Sequence, residues 1–317
     1  MNCLGCYKLL EGKEEGGYHA SCSKKLFGND TPPIVDFGSD RLAEMAMESL
    51  NQHLGVTGVQ PKISVDLTKY KDDPTHRLMI VGMWGNFILK PSTERFPDMA
   101  VVEDATMHMA EAAGIHTAKH GLLRLKSGEF AYITRRFDRG PKKKKIHMED
   151  FCQLSGQLTE SKYNSSTEKA GKIILKYSSN PGLDVQTFFD LTLFCFLTGN
   201  ADMHLKNFSL IEKDGGDIVF SPAYDLLSTA LMPIDDREEL ALPVNGKKAR
   251  LKKGDFLKLA VNLGIGEKPM ESSFRRLGEA LPAMMEIAEQ SFMSKELKGR
   301  YKKLVTGKAN VLGIGGA

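Results

Sequence analysis

The chain has 317 residues, a length for which typical domain sizes predict two domains. Hydrophobic residues make up 41%, charged residues 26% and aromatic residues 8%, which excludes a disordered or collagen-like chain. The 43 basic and 40 acidic residues give a formal net charge of +3, so charge indicates neither direct nucleic-acid binding nor membrane binding. We interpret the one dense basic run, Lys142–Lys145, as a solvated loop rather than a phosphate-binding patch.

The sequence predicts a cytoplasmic protein. Residues 1–13 carry cysteines and charges where a signal peptide needs an unbroken apolar core. The longest largely apolar stretch, Leu191–Leu197, is too short to span a bilayer. Cys152 and Cys195 stand apart from the other cysteines, in the helical part of the chain, and are expected to be buried thiols.

Three cysteines and a histidine form a cluster within residues 1–27. Their spacing is Cys3-x2-Cys6-x12-His19-x2-Cys22, and three thiolates with one imidazole are the donors of a closed tetrahedral zinc site. Such a site is structural, because four protein ligands leave no open position for chemistry. The alternatives are a redox-active cysteine pair, or reduced cysteines packed in a small lobe.

Residues 28–138 are predicted to form a small β-rich lobe. Asp30–Pro33 is typical of a linker, and the apolar spacing over Leu42–Leu50 predicts an amphipathic helix. A second helix is predicted to open at Pro97-Asp98 and stop at Gly114. The expected strands are Ile63–Leu67, Met79–Val81, Asn86–Lys90, Gly121–Leu125 and Phe130–Thr134.

Residues 139–306 are predicted to form a larger helical lobe, followed by a flexible tail over residues 307–317. Asp184–Thr198 is apolar on nearly every side, which indicates a buried helix. A hairpin is expected next, joining Phe208–Ile211 to Asp217–Phe220. Periodic segments at Asp255–Leu263 and Ala283–Tyr301 predict further helices. The fold class is therefore α+β with two lobes.

The segment Gly199–Asn207, between the buried helix and the hairpin, contains the strongest catalytic pattern. Asp202 and Asn207 have the Asp-x4-Asn spacing of a protein-kinase catalytic loop. Phosphoryl transfer needs a carboxylate near the attacking hydroxyl and oxygen ligands for Mg²⁺, and Asp225 after the hairpin can supply a further carboxylate. His204 orders this loop or approaches the γ-phosphate, or else it only caps local carbonyls. Lys206 could neutralise phosphate, but we interpret it as a solvated side chain.

The β-rich lobe offers cations and a glycine-rich turn. Lys90 ends a strand as the lysine of Val-Ala-Ile-Lys does in kinases, and Glu103 on the next helix either pairs with it or forms an ordinary exposed pair. Gly55 and Gly58 in Leu54–Lys62 allow backbone amides to approach a phosphate closely.

Together these segments resemble the HipA family of serine/threonine kinases, the toxins of bacterial toxin–antitoxin modules. The similarity covers roughly residues 50–300, in the family's order. The matching segments are Thr57–Lys62, Phe87–Pro91, Glu103, Arg136–Arg139, His147–Gln153, Gly199–Phe208 and Ser221–Ser228.

The resemblance implies a two-lobed protein-kinase-like fold that uses ATP and Mg²⁺. Asp202 would be the catalytic base, Asn207 and Asp225 would hold Mg²⁺, and Lys90 would contact the ATP phosphates. The hinge Arg135–Asp138 would contact adenine through its main chain. Within that hinge, the resemblance implies cofactor-binding roles for Arg135, Phe137 and Asp138, the last of these near the ribose.

The resemblance also implies regulation. The loop Gly55–Gly58 would lie over the phosphates, and family members autophosphorylate a serine in it that switches the kinase off. Thr57 occupies that position here and would be the autophosphorylated residue. The β-branch of a threonine restricts its rotamers, which bears on the efficiency of such a switch.

The family implies an aminoacyl-tRNA synthetase as the protein substrate, and a cognate antitoxin. Full-length members carry a small subdomain before the kinase core, and this chain resembles short-form members in which a separate protein supplies it. Operator DNA would then be bound by a partner. Two other functions remain open at this point: a small-molecule phosphotransferase of antibiotic type, and a non-catalytic adaptor with a kinase-like fold.

Overall fold

The structure is a computed structural model in which the chain forms two compact units. It describes residues 1–12, 15–38, 40–42, 62–69, 76–81, 84–140, 144–233 and 238–315. The first unit comprises Met1–Ala105, Ala118–Lys144 and Gln290–Phe292. The second comprises Thr106–Thr117, Lys145–Glu289 and Met293–Ala317.

The first unit contains a five-stranded antiparallel sheet in the order β2-β1-β3-β5-β4. Its strands are β1 Ile63–Lys69, β2 His76–Ile80, β3 Phe87–Pro91, β4 His120–Arg124 and β5 Phe130–Arg135. In β1, Ile63 and Val65 are buried while Ser64 between them is partly exposed, as the alternation of side chains along a half-buried strand requires. All five strands predicted for this region are confirmed, with shifts of up to three residues at their ends.

The helix expected to open at Pro97-Asp98 is α2, Met99–Ala112, and α1 is the short helix Ala20–Phe27 before the sheet. Val102 and Ala105 are fully buried, as their spacing predicts. Gly114, two residues after the end of the helix, adopts a left-handed conformation with φ of 80°, which glycine tolerates without steric cost. The expected helix over Leu42–Leu50 lies almost wholly outside the described residues.

The cysteine-containing segment is attached to the β4 edge of this sheet. The amide of Leu122 donates to the carbonyl of Leu4 at 3.1 Å, and the Tyr18 hydroxyl donates to the carbonyl of Leu122 at 2.6 Å. Tyr18 approaches the strand so closely that a Cβ on Gly121 would lie 2.5 Å from its hydroxyl. The absence of a side chain at Gly121 therefore permits this contact.

The second unit combines helices with a three-stranded antiparallel sheet in the order β6-β7-β8. The strands are β6 Met148–Asp150, β7 Ser209–Glu212 and β8 Ile218–Phe220. The helices of this unit, apart from Gln290 at the end of α7, are α3 Phe151–Leu154, α4 Thr167–Tyr177, α5 Pro181–Thr198, α6 Lys253–Asn262, α7 Glu267–Gln290 and α8 Lys295–Leu312. The predicted hairpin is confirmed as β7 and β8.

Helix α5 is the predicted buried helix and forms the centre of the second unit. Its Phe188 packs against Phe151, Phe208 and Phe220, with ring centroids 5.1 to 6.4 Å apart. Aromatic pairs at these separations add to the hydrophobic stabilisation of a core. Cys152 and Cys195 are 2% and 1% exposed, which confirms that they are buried thiols.

Two predictions for the carboxyl-terminal region are wrong. The periodic segment Ala283–Tyr301 is not one helix, because α7 ends at Gln290 and the Ser294 side chain accepts a hydrogen bond from Leu297 and caps a new helix, α8. The tail expected from Gly307 is helical to Leu312, since Ala309 and Leu312 are buried and hold the last turns in place. Where the chain is described, none of its helices combines the length and the apolar character that crossing a bilayer requires.

Candidate active site

The loop that begins at Gly199 is anchored at its start by backbone geometry. Gly199 ends α5 with φ of 67°, and a Cβ there would lie 2.7 Å from the Cβ of Ala230. Thr229 clamps the next residues: its hydroxyl donates to the Gly199 carbonyl at 3.2 Å and accepts from the Ala201 amide at 2.9 Å. The loop therefore leaves the buried helix in a fixed direction.

Asp202 and Asn207 are held together within this loop. The side-chain amide of Asn207 donates from Nδ2 to the main-chain carbonyl of Asp202 at 3.0 Å. This bond uses the NH₂ group and leaves the amide oxygen Oδ1 for a cation. The Tyr163 hydroxyl donates to Oδ1 of Asp202 at 2.5 Å, so one carboxylate oxygen is fixed while the other remains for a proton.

His204 lies between these groups. Its ring packs edge-on against Tyr163 with centroids 5.1 Å apart, and its side chain makes no cap bond to the following turn Leu205–Asn207. Burial lowers the pKa of His204, and the opposing charges of Asp202 and Asp225 only partly offset this effect. The lowered pKa favours the neutral imidazole.

Asp225 is placed by a strained backbone. It has φ of 61°, a left-handed conformation that non-glycine residues rarely adopt and that is frequent at functional sites. The preceding Tyr224 hydrogen-bonds to Ser209 at 2.6 Å and donates to the Lys206 carbonyl at 3.0 Å, which ties this segment to the loop. Asp225 acts electrostatically on His204, so both carboxylates belong to one cluster.

Lys206 does not match the sequence interpretation of a solvated side chain. Its ammonium forms an ion pair with Asp150 at 3.0 Å, and its side chain is 36% exposed. Asp150 caps α3 by accepting a hydrogen bond from the Gln153 amide. The pair links the loop to the β6 edge of the second sheet.

Tyr163 and Lys162 are site residues that the sequence interpretation missed. The carbonyl of Lys162 accepts a hydrogen bond from the Leu205 amide at 3.2 Å, and its charge contributes to the lowered pKa of His204. Both residues follow the irregular turn Thr159–Ser161, where hydrophobic periodicity gives no signal. Their position after His147–Gln153, one of the segments shared with the HipA family, was the only available hint.

In the first unit, Lys90 and Glu103 form a buried ion pair. Their side chains are 4% and 1% exposed, which excludes the alternative of an ordinary surface pair. The Lys90 ammonium also lies 5.3 Å from the ring centroid of Tyr132, its cross-strand neighbour in β5. Strand β3 and helix α2 thus hold one lysine in a single orientation.

The segment Arg135–Asp138 begins at the last residue of β5. The amides of Arg135 and Arg136 donate to the carbonyls of Lys119 and Asn86, both at 2.8 Å. These two amides are therefore engaged within the fold, and a main-chain contact to adenine from either residue has to use its carbonyl.

The Asp138 carboxylate is held by two arginines. Arg136 donates to it twice, at 2.9 and 2.7 Å, and Arg139 donates at 2.5 Å. Burial opposes ionisation of this group, but the hydrogen bonds and charges of the arginines outweigh it and lower the pKa of Asp138. Phe137 lies between Arg136 and Asp138 in the chain, and the predicted loop residues Gly55, Thr57 and Gly58 lie outside the described residues.

The four predicted zinc ligands converge. The ligand atoms of Cys3, Cys6, His19 and Cys22 lie within 4.8 Å of one another. Nδ1 of His19 is 3.4 Å from the Cys6 sulfur and 4.0 Å from the Cys22 sulfur. The spacing in the sequence therefore corresponds to one cluster in the first unit.

The sheet of the first unit, the helical second unit and the Asp202–Asn207–Asp225 cluster define a protein-kinase-like fold. The chain matches the family model described as HipA-like C-terminal domain over residues 54–285, and it belongs to that family.

Two sequence relatives illustrate the similarity. An inferred kinase of Haemophilus influenzae is 28% identical over 90% of this chain and 88% of its own length. The serine/threonine-protein kinase toxin HipA of Shewanella oneidensis is 28% identical over 61% of this chain and 47% of its own length.

Two solved structures share the fold. A Shewanella oneidensis HipA, solved with HipB and operator DNA, superposes with a TM-score of 0.68 and 21% identity over 86% of this chain and 71% of that one. The Helicobacter pylori proinflammatory kinase CtkA superposes with a TM-score of 0.56 and 13% identity over 89% and 95% of the two chains.

Proposed function

We propose that this protein is a kinase that transfers the γ-phosphoryl group of ATP to a serine or threonine hydroxyl of another protein. The observation that carries the proposal is the constrained pair Asp202 and Asn207. One carboxylate oxygen of Asp202 is fixed by Tyr163, and the Asn207 amide is turned so that its oxygen can bind a cation. A non-catalytic adaptor has no need of such an arrangement.

The roles of the side chains follow from their chemistry. Asp202 accepts the proton that the attacking hydroxyl loses as its oxygen bonds to the γ-phosphorus, while the bond from that phosphorus to the β-phosphate oxygen breaks and ADP leaves. The Lys90 ammonium neutralises phosphate charge, and Glu103 limits the directions in which it can point. Neutral His204 adds no competing positive charge beside Asp202.

Asn207 and Asp225 fit a magnesium site. Mg²⁺ prefers oxygen ligands, and in kinases phosphate oxygens and waters supply those that the protein does not. When bound, Mg²⁺ neutralises charge on the β- and γ-phosphate oxygens. The left-handed backbone of Asp225 is consistent with this role, because strain of this kind persists where a site requires it.

A labelling experiment tests the proposal. The purified protein is incubated with γ-labelled ATP, Mg²⁺ and a bacterial lysate, beside the variants Asp202→Asn and Asp225→Asn. Asp217→Asn, an exposed aspartate in the hairpin turn, is the matched control. We expect labelled protein bands with the native protein and the control, and a loss of about 100-fold or more with the other two. Label only on small molecules would favour an antibiotic-type phosphotransferase, and no transfer at all would refute enzymatic activity.

We further propose that the protein is a toxin with an aminoacyl-tRNA synthetase as its substrate. The family resemblance supports the substrate class, and the Shewanella oneidensis HipA solved with HipB and operator DNA supports an antitoxin partner. DNA contact would come through that partner or through a separate subdomain-like protein. Intact-mass measurement of purified synthetases after incubation with the kinase tests the substrate, and the absence of any added phosphate would contradict it.

Autophosphorylation at Thr57 is the proposed off-switch. A threonine hydroxyl has the same nucleophilic oxygen as the serine found there in the family. Phosphopeptide mapping after incubation with ATP and Mg²⁺, with Thr57→Ala as the control, tests the switch. An unmodified Thr57 in an active enzyme would refute it.

A further inference from the structure

We propose that Cys3, Cys6, His19 and Cys22 bind a structural zinc ion. We call residues 1–27 the knuckle, and we propose that the knuckle, when it holds the metal, positions the part of α2 that carries Glu103. The proposal concerns only the first unit, and it does not depend on the substrate or the kinase activity.

The distances between the donors suit zinc. Zinc binds sulfur at about 2.3 Å and imidazole nitrogen at about 2.0 Å, so a tetrahedral site separates a sulfur from a nitrogen by about 3.6 Å. The sulfurs of Cys6 and Cys22 lie 3.4 and 4.0 Å from Nδ1 of His19. Three thiols and one imidazole also exclude the oxygen-preferring cations Mg²⁺ and Ca²⁺.

The surroundings orient the ligands. Nε2 of His19 lies 3.1 Å from the Leu9 carbonyl, and a hydrogen bond there places the ring proton on Nε2 and the lone pair of Nδ1 toward the sulfurs. The amides of Gly5 and His19 donate to the Cys3 sulfur at 3.4 and 3.3 Å. Bonds of this kind stabilise a metal-bound thiolate and hold it in place.

The backbone between the ligands is tightly constrained. Tyr7, which directly follows Cys6, has φ of 64°, although a bulky residue rarely adopts this conformation. A Cβ on Gly5 would lie 2.6 Å from the Tyr18 ring and 3.1 Å from the Cys22 Cβ. A bound metal provides the free energy that holds this short, strained turn.

Tyr7, which lies in the strained turn, contacts α2. The Tyr7 hydroxyl donates to Oδ2 of Asp104 at 2.6 Å, and Nδ1 of His120 lies 2.7 Å from Oδ1 of the same carboxylate. Tyr7, Asp104 and His120 are all buried. Asp104 is thus held from the knuckle on one side and from β4 on the other.

The network that contains Asp104 also extends to Lys90. Glu103 is adjacent to Asp104 on α2 and forms the ion pair with Lys90. On the other side of the network, His120 stacks on Tyr132 with ring centroids 6.0 Å apart, and Lys90 lies over the same Tyr132 ring. Loss of the metal should therefore loosen both neighbours of Lys90.

Metal analysis tests the first half of the proposal. We expect about one zinc ion per chain in the native protein purified under reducing conditions, the same in Cys152→Ala, and none in Cys22→Ser. Cys152 is the matched control because it is a buried thiol outside the cluster. If Cys22→Ser does not fold, Co²⁺ added to chelator-treated native protein should give the absorption bands of tetrahedral thiolate coordination. Absence of stoichiometric metal, or a disulfide within the cluster, would overturn the site.

Hydrogen exchange tests the second half. Two treatments should speed amide exchange in Met99–Ala105 by about tenfold: removal of zinc with a chelator, and the variant Tyr7→Phe with its metal retained. Each weakens or removes the hydrogen bond from Tyr7 to the charged Asp104. The amides of α6 in the second unit serve as the internal reference. Unchanged exchange in Met99–Ala105 after zinc loss would refute the coupling even if the metal site is real.

Discussion

Lys90 and Glu103 form an ion pair whose side chains are almost completely removed from solvent, at 4% and 1% exposure. Removing two charges from water is costly, and such a pair persists only where its partners are held in good geometry. Here strand β3 holds the lysine and helix α2 holds the glutamate. A buried ion pair is by itself weak evidence that the pair serves to stabilise the fold. The position of Lys90 near the end of strand β3 fits a role in binding phosphate.

Replacing Glu103 with Gln should destabilise the protein by about 3 kcal/mol, because the Lys90 charge then stays buried without its counter-charge. The KM for ATP should rise as well, since the ammonium loses its fixed direction. Urea unfolding and steady-state kinetics measure the two effects.

The matched control is Glu289→Gln, which removes a carboxylate from the exposed pair that Glu289 forms with Lys302. Their side chains are 63% and 38% exposed, so solvent screens the interaction and stability should not change measurably. Equal effects of the two variants on the free energy of unfolding would contradict the interpretation of Lys90 and Glu103 as a buried pair whose disruption is costly.

Replacing Tyr163 with Phe should lower kcat while leaving the KM for ATP unchanged. The Tyr163 hydroxyl fixes one oxygen of Asp202, and a hydrogen bond to a charged group is worth about 1.5 kcal/mol, or roughly tenfold in rate. Tyr177→Phe, a change to a partly exposed tyrosine at the end of α4, is the control. An unchanged kcat in Tyr163→Phe would show that Asp202 does not depend on this contact.

Sequence patterns predicted the local structure around the site well. The spacing of Asp202 and Asn207, the apolar run of α5 and the alternation in β1 are local features, because each depends on a helix or strand period or on a short loop. The convergence of Cys3, Cys6, His19 and Cys22 is local in the same sense. Metal-ligand spacing in a short segment restricts the possible folds strongly.

The contacts that connect distant segments were not predictable in the same way. Tyr163 lies 39 residues before Asp202, and nothing in its own neighbourhood marks it as a partner. Lys206 was interpreted as solvated because its partner, Asp150, lies 56 residues away. The helix boundary between α7 and α8 was missed because the apolar period continues across Ser291–Met293 while the cap at Ser294 starts a new helix.

Replacing Gly199 with Ala should destabilise the protein by about 2 kcal/mol, within the range for a non-glycine residue forced into a left-handed conformation. The new Cβ would also meet Ala230 at 2.7 Å, in the contact that anchors the start of the loop. Activity should fall with stability, because Asp202 lies three residues further on. Urea unfolding and the labelling assay measure both.

The control is Gly254→Ala in helix α6, where the backbone has no positive φ and a Cβ would meet nothing within 4 Å. That variant should be neutral, or more stable by up to about 1 kcal/mol, because glycine is entropically unfavourable in a helix. If both variants behave alike, the conformation of Gly199 does not constrain the loop.

Acid should weaken the second unit through Asp255. Burial raises the pKa of this carboxyl group, but hydrogen bonds from Asn245 and Lys247 outweigh burial and lower it from 3.8 to about 2. The folded-state pKa is thus below that of the unfolded chain, so the ionised group stabilises the fold above pH 3.8, and this contribution is lost as the pH falls toward 2. The variant Asp255→Asn should be less stable at neutral pH and should show a flatter dependence of unfolding free energy on pH in that window. If the unfolding free energies of the variant and the native protein depend on pH in parallel, Asp255 is not the source of the acid sensitivity.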